Sequence, residues 1–371
     1  MPLVNLLLSL VIFGLPLTVI HELGHLLAAK IMQFKIYRIE LGRGPKLLQW
    51  KVKDISIIIR TGWGGGVGRS AVAPPPGLPG ILLRFLCIVA AGPAVHLILL
   101  LLECIVYPQI LPLAVELLVT NKLAPPLVLF VYANIMFMLL SSIPLKLVSG
   151  YSDGYAIVHL LLHPKEGVLD IIDSYYMNES HKMISQRDYD LAAAVISRGL
   201  KQNPQSATLR IKLSDVKIRQ GQYSSARAIL LDIIKSKSVT KLPMAQTSEL
   251  WSLIAYCNIL LGDCRLIDEA KNFSARAFKA APNSAIVLGR RGVVLIATGR
   301  FLEGIALLER GFKEAEDDWE RAEYAAWISL AFFELHEPTE AIKWLKFSTK
   351  LCPDTPTARR LKAFVTRMQF D

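Results

Sequence analysis

The sequence has few cysteines, and they form no recognisable pattern. Its 371 residues include five cysteines, with no CxxC pair and no even framework. Disulfide frameworks are typical of small secreted domains, and paired cysteines are typical of structural zinc modules. The cysteine pattern therefore excludes both of these protein classes. Cys87 and Cys104 lie in apolar runs and are predicted to be packing residues. We expect no disulfide scaffold, and a reducing environment for the second half of the chain.

Charged residues are scarce in the first 150 positions. This stretch has 12 of the 42 lysines and arginines and 5 of the 31 aspartates and glutamates. The mean hydropathy of the whole chain is +0.39, which is high for a soluble protein. The contrast predicts a membrane domain over residues 1–165 and a water-soluble domain over 166–371, each long enough to bury a core.

Positive charge in the membrane domain is concentrated in one loop. Ten basic residues lie between Lys30 and Arg84, against Glu40 and Asp54. A cytoplasmic loop beside apolar spans accounts for this cluster, so we expect no nucleic-acid partner. The first segment lacks a basic n-region and a small-residue cleavage site, which predicts a retained span and not a signal peptide.

Three apolar stretches are long enough to cross a bilayer, which takes roughly 18–20 residues. They cover about 3–29, 81–106 and 123–163. The loop of 107–122 has Glu116 and Lys122 as its charged residues, so the positive-inside rule places it outside. We expect an integral multi-pass protein of the bacterial inner membrane, with its C-terminal half in the cytoplasm.

The third apolar stretch is too long for one crossing, and Pro144 and Gly150 interrupt it. Irregular backbone at membrane depth is tolerated where protein or a water-filled cavity surrounds it. We therefore expect a broken helix here. A short helix is predicted to open at Asp153, with Ser152 or Asp153 as its cap, and to end before Pro164.

The loop of 35–69 alternates apolar and polar residues. This pattern predicts two or three short strands around a turn at Gly44–Pro45. The run GWGGGVG at 62–68 is interpreted as a glycine-rich bend. It is not a phosphate-binding loop, because it lacks the Lys-Ser/Thr ending and the strand-to-helix context.

The residues VIHELGHLLAAK at 19–30 put three polar groups at the end of the first apolar stretch. His21 and His25 are four positions apart and share one face of a helix, so both imidazoles can bind one ion. Glu22 lies about 100° round the helix from His21, beside that ion. H-E-x-x-H is the arrangement of zinc hydrolases, with two histidine ligands and a glutamate general base. A glutamate facing lipid would cost roughly 2.5–3.5 kcal/mol, which also favours a functional role.

A catalytic zinc site needs a third protein ligand. Lys30 and Lys165 each mark the cytoplasmic end of an apolar stretch. His25 precedes Lys30 by 5 residues, and Asp153 precedes Lys165 by 12. The side chains of His25 and Asp153 can therefore lie at the same depth in the membrane. Glu103 is expected nearer the outer face. The candidates with access are His96, Glu103, Asp153, His159 and His163. The residues alone favour Asp153 or His96 and leave both open.

At this point the sequence resembles the site-2 proteases, which are intramembrane zinc metalloproteases. The family has the motif H-E-x-G-H in one helix and N-x-x-P followed by D-G in a later one. The matching residues here are HELGH at 21–25, AAGPAVH at 90–96 and SSIP…SDG at 141–154. LGRGPKL and the glycine run at 62–68 also look like the family's membrane-associated β insertion. The resemblance covers about residues 1–165.

This resemblance implies that His21, His25 and Asp153 bind Zn²⁺ and that Glu22 is the base. The family often has asparagine at the positions of His96 and Ser141, where it is thought to support the substrate backbone or the transition state. His96 and Ser141 can also donate hydrogen bonds, and we assign them this supporting role. The gap from Pro144 to Asp153 is longer than in the short form of the motif.

From about residue 170 the pattern becomes one of repeated helices. Ala-x11-Pro recurs at 192–204, 270–282 and 341–353. A spacing of 34 to 41 residues separates the equivalent turn positions Arg187, Gly221, Gly262, Gly299 and His336. This period is typical of stacked helix pairs and resembles the tetratricopeptide repeat, with Trp251 and Gly292 at its Trp and Gly positions. Such arrays present a concave surface to peptides or proteins.

The predicted fold is all-α: a polytopic α-helical membrane domain with a small β-hairpin insertion, followed by a soluble α-solenoid of tetratricopeptide-like helix pairs. The predicted function is intramembrane zinc proteolysis of a transmembrane protein in the lipid bilayer, with a repeat domain that docks a peptide or protein, either substrate or regulator. One alternative is a catalytically inactive, membrane-anchored repeat scaffold. Another is an iron oxidase, because two histidines and a carboxylate also suit Fe(II), although a membrane di-iron enzyme would use more than the seven histidines present.

Overall fold

The chain forms two compact units, Met1–Asn178 and Glu179–Asp371. The predicted division at 165/166 lies in the first turn of a helix that runs through both positions, Pro164–Ser185. The predicted glycine-rich bend lies largely outside the described residues. The computed structural model describes residues 2–62, 68–120, 122–147, 150–236, 239, 242–315 and 317–368.

Two helices of the first unit are long and apolar enough to cross a membrane, by length and composition. They are α1, Pro2–Ile31, and α2, Ile81–Val106. The ends of both helices lie within two residues of the ends of the predicted spans. Most of their surface is apolar and exposed, as expected for helices whose outer faces meet lipid, while a minority of residues pack inside the unit.

The third apolar stretch is broken, as predicted. It consists of helix α4, Pro126–Ser142, two short antiparallel strands β5, Lys146–Leu147, and β6, Gly150–Tyr151, and helix α5, Asp153–Leu162. The hydroxyl of Ser152 accepts a hydrogen bond from the backbone N–H of Tyr155, so Ser152 is the N-cap that holds Asp153 in the first turn of α5. Each of these helices is shorter than 18 residues.

The segment 107–122, predicted to be a loop, contains a helix: α3, Ile110–Val119. Its buried residues Ile110, Ala114 and Leu117 recur at helical spacing and pack with Val128 and Tyr132 of α4. The low charge of this segment reflects a packed helix and not a short connection, so the loop prediction was wrong.

The β insertion is larger than the predicted hairpin. It is a four-stranded sheet in the order β2-β3-β1-β4, in which β1 pairs parallel with β3 and antiparallel with β4. The turn between the first two strands is at Gly42, where φ is +91°, and not at Gly44–Pro45. The strands are β1, Lys35–Leu41, β2, Arg43–Val52, β3, Ile55–Gly62, and β4, Gly68–Ala73.

Helix α1 is central to the first unit. It packs against α2, α4 and the strands β1 and β4. Its buried positions near the C-terminal end include Glu22, Gly24 and His25. Because α1 contacts all these elements, side chains from distant parts of the sequence meet around its last turns.

The second unit is built of helix pairs in which neighbours in sequence are neighbours in space. A 3₁₀ turn, Cys264–Leu266, precedes one of its helices. After α6, Pro164–Ser185, the helices are α7, Tyr189–Gln202, α8, Ala207–Arg219, α9, Tyr223–Lys235, α10, Met244–Leu261, α11, Ile267–Ala280, α12, Ala285–Ala297, α13, Phe301–Glu314, α14, Asp318–Glu334, α15, Pro338–Leu351, and α16, Pro356–Met368.

The predicted repeat is confirmed by its backbone. The five predicted turn positions all adopt the left-handed conformation, and glycine fills three of them because it adopts a positive φ without steric strain. Ala192, Ala270 and Ala341 are each 0% exposed, on α7, α11 and α15. A small side chain at a buried helix position lets neighbouring helices approach closely. At Gly292 an added Cβ would lie 2.8 Å from the backbone oxygen of Gly304 on the partner helix.

Charged side chains of α8, α12 and α14 meet inside the repeat unit. Arg290 has a nitrogen 3.7 Å from Asp215 and 3.8 Å from Glu320. Arg219 is 3.4 Å from Asp215, and its guanidinium stacks on Trp319. Burial raises the pKa of Glu320 to about 7. Burial also opposes ionisation of Asp215, but Arg219 and its cationic neighbours outweigh it and hold that pKa below its usual range. These side chains are buried and contact one another, so they are not available to a partner.

Candidate metal centre

His21 and His25 lie on one face of α1, four residues apart, as predicted. Their Nε2 atoms are 3.2 Å from each other, and the ring planes are nearly perpendicular. Helix α2 crosses beside them at Gly92, where an added Cβ would lie 2.5 Å from Cε1 of His25 and 2.7 Å from Cε1 of His21. The space that both imidazoles occupy exists because residue 92 has no side chain.

Asp153 completes a three-residue cluster. Its Oδ2 is 3.0 Å from Nε2 of His21, and its Oδ1 is 3.5 Å from Nε2 of His25. The first turn of α5, capped by Ser152, directs this carboxylate at the two rings. The aspartate is 132 positions from His21 in sequence, and the packing of α2 against both α1 and α5 brings the two together.

The spacing of these three donors fits a zinc ion. Zinc in proteins is tetrahedral, with Zn–N and Zn–O bonds of about 2.0–2.2 Å, so neighbouring donor atoms lie roughly 3.3–3.5 Å apart. The separations here are 3.0, 3.2 and 3.5 Å, so the shortest is about 0.3 Å below this range and a small outward shift of the donors would admit the ion. Two imidazoles and one carboxylate are also the donor set of a catalytic zinc site that keeps a fourth position open.

His25 is held in the orientation that a metal ligand needs. Its Nδ1 is 2.8 Å from the backbone oxygen of Ile88 on α2. A carbonyl oxygen can only accept, so Nδ1 carries the proton and Nε2 keeps its lone pair toward Asp153 and His21. A metal-binding histidine usually donates its other ring N–H to an acceptor of this kind.

Glu22 lies beside the cluster and is buried. One donor atom each of His21, Glu22 and His25 lies within 4.8 Å of the others. The hydroxyl of Ser70 on β4 donates a hydrogen bond to Oε2 of Glu22. Gly68 of the same strand packs against the Glu22 side chain, and a Cβ there would overlap it. The sheet therefore positions the carboxylate that the sequence assigned as the base.

His96 lies behind His21, away from the face that meets Asp153. Its Nε2 is 3.1 Å from Nδ1 of His21, and its Nδ1 is 2.7 Å from Oδ1 of Asn134. The residue is 0% exposed. A third ligand must approach Nε2 of His21, so this geometry favours Asp153 over His96 as the ligand. The role of His96 as substrate support stays a prediction.

The other candidates from the sequence are Ser141, His159, His163 and Glu103. Ser141 donates from its hydroxyl to the backbone oxygen of Met138 in its own helix, and its support of the substrate also stays a prediction. His159 and His163 contact each other, with ring centroids 5.1 Å apart. Both carboxylate oxygens of Glu103 are buried on α2 without a hydrogen-bond partner in the described part of the chain.

Two residues of the site were not predicted from the sequence. Ser70 follows the glycine run and carries no motif. Asn134 is an amide in an otherwise apolar helix and is 0% exposed. A polar residue in an apolar helix needs a partner, so the amide of Asn134 was the feature of the sequence that could have predicted its role.

Comparison with known proteins identifies the family of the chain. The model of the family described as Peptidase family M50 matches residues 7–267. The chain belongs to this family, which contains the site-2 proteases, and the predicted resemblance is confirmed. A protein of Clostridium acetobutylicum described as "Putative zinc metalloprotease" is 38% identical over 109 residues, which are 28% of this chain and 32% of that protein. The chain thus matches about a third of the length of this curated relative.

Solved structures are similar to the repeat unit. A thermophilic TPR protein of Thermus thermophilus has 15% identity and a TM-score of 0.39, covering 52% of this chain and 97% of its own. PilF of Pseudomonas aeruginosa has 10% identity and a TM-score of 0.34, covering 57% and 94%. These similarities are low, and the helix pairs with left-handed turns define the repeat architecture by themselves.

Proposed function

We propose that this protein is an intramembrane zinc metalloendopeptidase that hydrolyses a peptide bond in or near a transmembrane segment. His21, His25 and Asp153 would hold Zn²⁺, and Glu22 would act as general base. The observation that carries the proposal is the meeting of the Asp153 carboxylate with both imidazoles, at 3.0 and 3.5 Å. The family membership supports a metalloprotease in general.

Zinc, when bound, supplies a Lewis acid and brings the pKa of a coordinated water to about 7. The residues of the chain supply the rest. Glu22 accepts the proton of the attacking water and returns it to the leaving amine. Ser70 keeps the Glu22 carboxylate beside the cluster, and Ile88 keeps the lone pair of His25 directed at it.

The apolar surroundings of the site support a substrate and a location in the membrane. Helices α1 and α2 are proposed to span the membrane, with α4 and the broken segment up to α5 completing a third passage. A substrate helix must unwind to expose its carbonyl, because a hydrogen-bonded helical peptide bond is inaccessible to attack. We place the protein in a bacterial inner membrane as a multi-pass protein with the repeat unit in the cytoplasm.

The repeat unit is proposed to dock a substrate or a regulator. Its inner charges are paired among α8, α12 and α14, so a docking surface must use other side chains. Leu302 and Phe347 on the second helices of their pairs are 72% and 51% exposed, which offers apolar surface for contact.

Two other functions are less well supported. A catalytically inactive scaffold has no use for a complete ligand set with a buried glutamate beside it. An iron oxidase would use the same three donors, since two histidines and a carboxylate also suit Fe(II). Whether the bound metal is iron or zinc distinguishes this oxidase from the proposed protease.

Metal analysis of the full-length protein, purified in detergent, tests the proposal. We expect about one zinc per chain, as for a catalytic site with three protein ligands, and little iron. Asp153→Ala should lose most of this zinc, because two imidazoles alone bind weakly. His163→Ala, at the exposed end of α5, is the matched control and should keep its zinc. Iron in place of zinc, or full zinc occupancy in Asp153→Ala, would contradict the assignment.

A further inference from the structure

We propose that His96 and Asn134 form a relay that fixes the tautomer and orientation of the metal ligand His21. His96 thereby acts as a positioning residue through His21. This inference rests on the proposed zinc site and adds two residues to it. It is carried by three contacts that join α1, α2 and α4.

The relay starts at Asn134, whose amide orientation is set by the backbone. Its Nδ2 is 3.1 Å from the backbone oxygen of His96. A carbonyl oxygen has no proton to give, so the nitrogen of the amide must face it. The amide oxygen Oδ1 then faces the His96 ring, 2.7 Å from Nδ1. Reversing the amide would place two acceptors against each other.

The next step fixes His96. Oδ1 of Asn134 can only accept, so Nδ1 of His96 carries the proton of a neutral imidazole. Its Nε2 is then a lone pair, 3.1 Å from Nδ1 of His21. Both His96 and Asn134 are 0% exposed, so no bulk water competes for these atoms.

The last step fixes His21. Since Nε2 of His96 is an acceptor, Nδ1 of His21 would carry the proton when the ion is bound, and Nε2 would keep its lone pair for the ion beside Asp153 and His25. The rings of His21 and His96 meet edge to edge, with centroids 5.2 Å apart and planes at 28°, as an N–H···N hydrogen bond between them requires. His21 and His25 therefore reach the same tautomer by different routes: His25 through a backbone oxygen, His21 through two buried side chains.

The first test measures the tautomers in the unaltered protein. Solid-state NMR of the zinc-loaded, ¹⁵N-histidine-labelled full-length chain in bilayers distinguishes the Nδ1–H form of His96 from the Nε2–H form. The relay predicts Nδ1–H for His96. An Nε2–H form at His96 would overturn the proposal, and this result depends on no variant.

The second test uses variants that differ in which contact they keep. The amide of glutamine in His96→Gln reaches as far from Cβ as Nε2 does, so it can still accept from His21. The shorter asparagine in His96→Asn reaches only as far as Nδ1 and loses that contact, and His96→Leu loses both contacts. Zinc affinity is measured by competition with a chelator. Loss of such an outer partner typically weakens metal binding by about 10–100-fold.

We expect a 10–100-fold loss in His96→Asn and His96→Leu and an affinity within about threefold of the unaltered protein in His96→Gln. An unchanged His25 signal in each spectrum shows that the rest of the site is folded. Wild-type zinc affinity in His96→Asn would overturn the relay while leaving the zinc site intact. Failure of the unaltered protein to bind zinc would instead overturn the proposed function.

Discussion

Replacing Glu22 by glutamine is expected to lower the rate of peptide-bond cleavage by about 10²–10⁴-fold, the usual contribution of general acid–base catalysis. Glutamine has the shape of glutamate and can keep the hydrogen bond from Ser70. It cannot take a proton from water. Zinc content should remain at the wild-type level, because the proposed ligands are His21, His25 and Asp153. The assay is cleavage of a transmembrane substrate reconstituted with the purified protein in lipid.

A matched control for this variant is Glu116→Gln. Glu116 is an exposed glutamate on α3, outside the metal cluster, and its replacement should leave cleavage unchanged. Equal cleavage by the unaltered protein and by Glu22→Gln would remove Glu22 as the base. Loss of zinc along with activity in Glu22→Gln would mean that the glutamate holds the ion and does not only flank it.

Replacing Gly92 by alanine is expected to displace both histidine ligands. A Cβ at this position would lie 2.5 Å from Cε1 of His25 and 2.7 Å from Cε1 of His21, well inside contact distance. A misplacement of about 1 Å in a catalytic group can cost about 10²-fold in rate. We expect at least that loss in cleavage, together with a measurable loss of bound zinc.

The control for Gly92→Ala is Gly14→Ala in α1. An added Cβ at Gly14 meets nothing within 4 Å, so the ligands are undisturbed. Alanine is also the better helix former, by about 0.5–1 kcal/mol. Gly14→Ala should therefore retain zinc and activity. If Gly92→Ala binds zinc as tightly as Gly14→Ala does, the close approach of α2 to the two rings is not what shapes the site.

Several parts of the structure could be predicted because they follow local rules. The bounds of α2 match the apolar run at 81–106, since length and hydropathy set a helix of this kind. The left-handed turns at Gly221, Gly262 and Gly299 follow from the conformational freedom of glycine at helix ends. His21 and His25 share a face because of the helical period alone.

Other parts depend on contacts between distant segments. The parallel pairing of β1 with β3 requires a crossover that alternation of residues does not encode. Asn134 and His96 meet because α2 and α4 pack together, and neither carries a motif for the other. The distinction between Asp153 and His96 as ligand was open in the sequence because both are plausible donors. In the structure Asp153 faces Nε2 of His21 and His96 faces Nδ1, which supports Asp153 as the proposed ligand.

His21, His25 and Asp153 are proposed to share one zinc ion, and X-ray absorption at the zinc edge of the membrane-reconstituted protein measures this directly. We expect two imidazole nitrogens at about 2.0–2.1 Å and oxygen at about 2.0–2.2 Å, with no sulfur, in a four-coordinate shell. The imidazole signal should diminish in His25→Ala. A sulfur shell, or zinc whose surroundings do not change when His25 is removed, would contradict it.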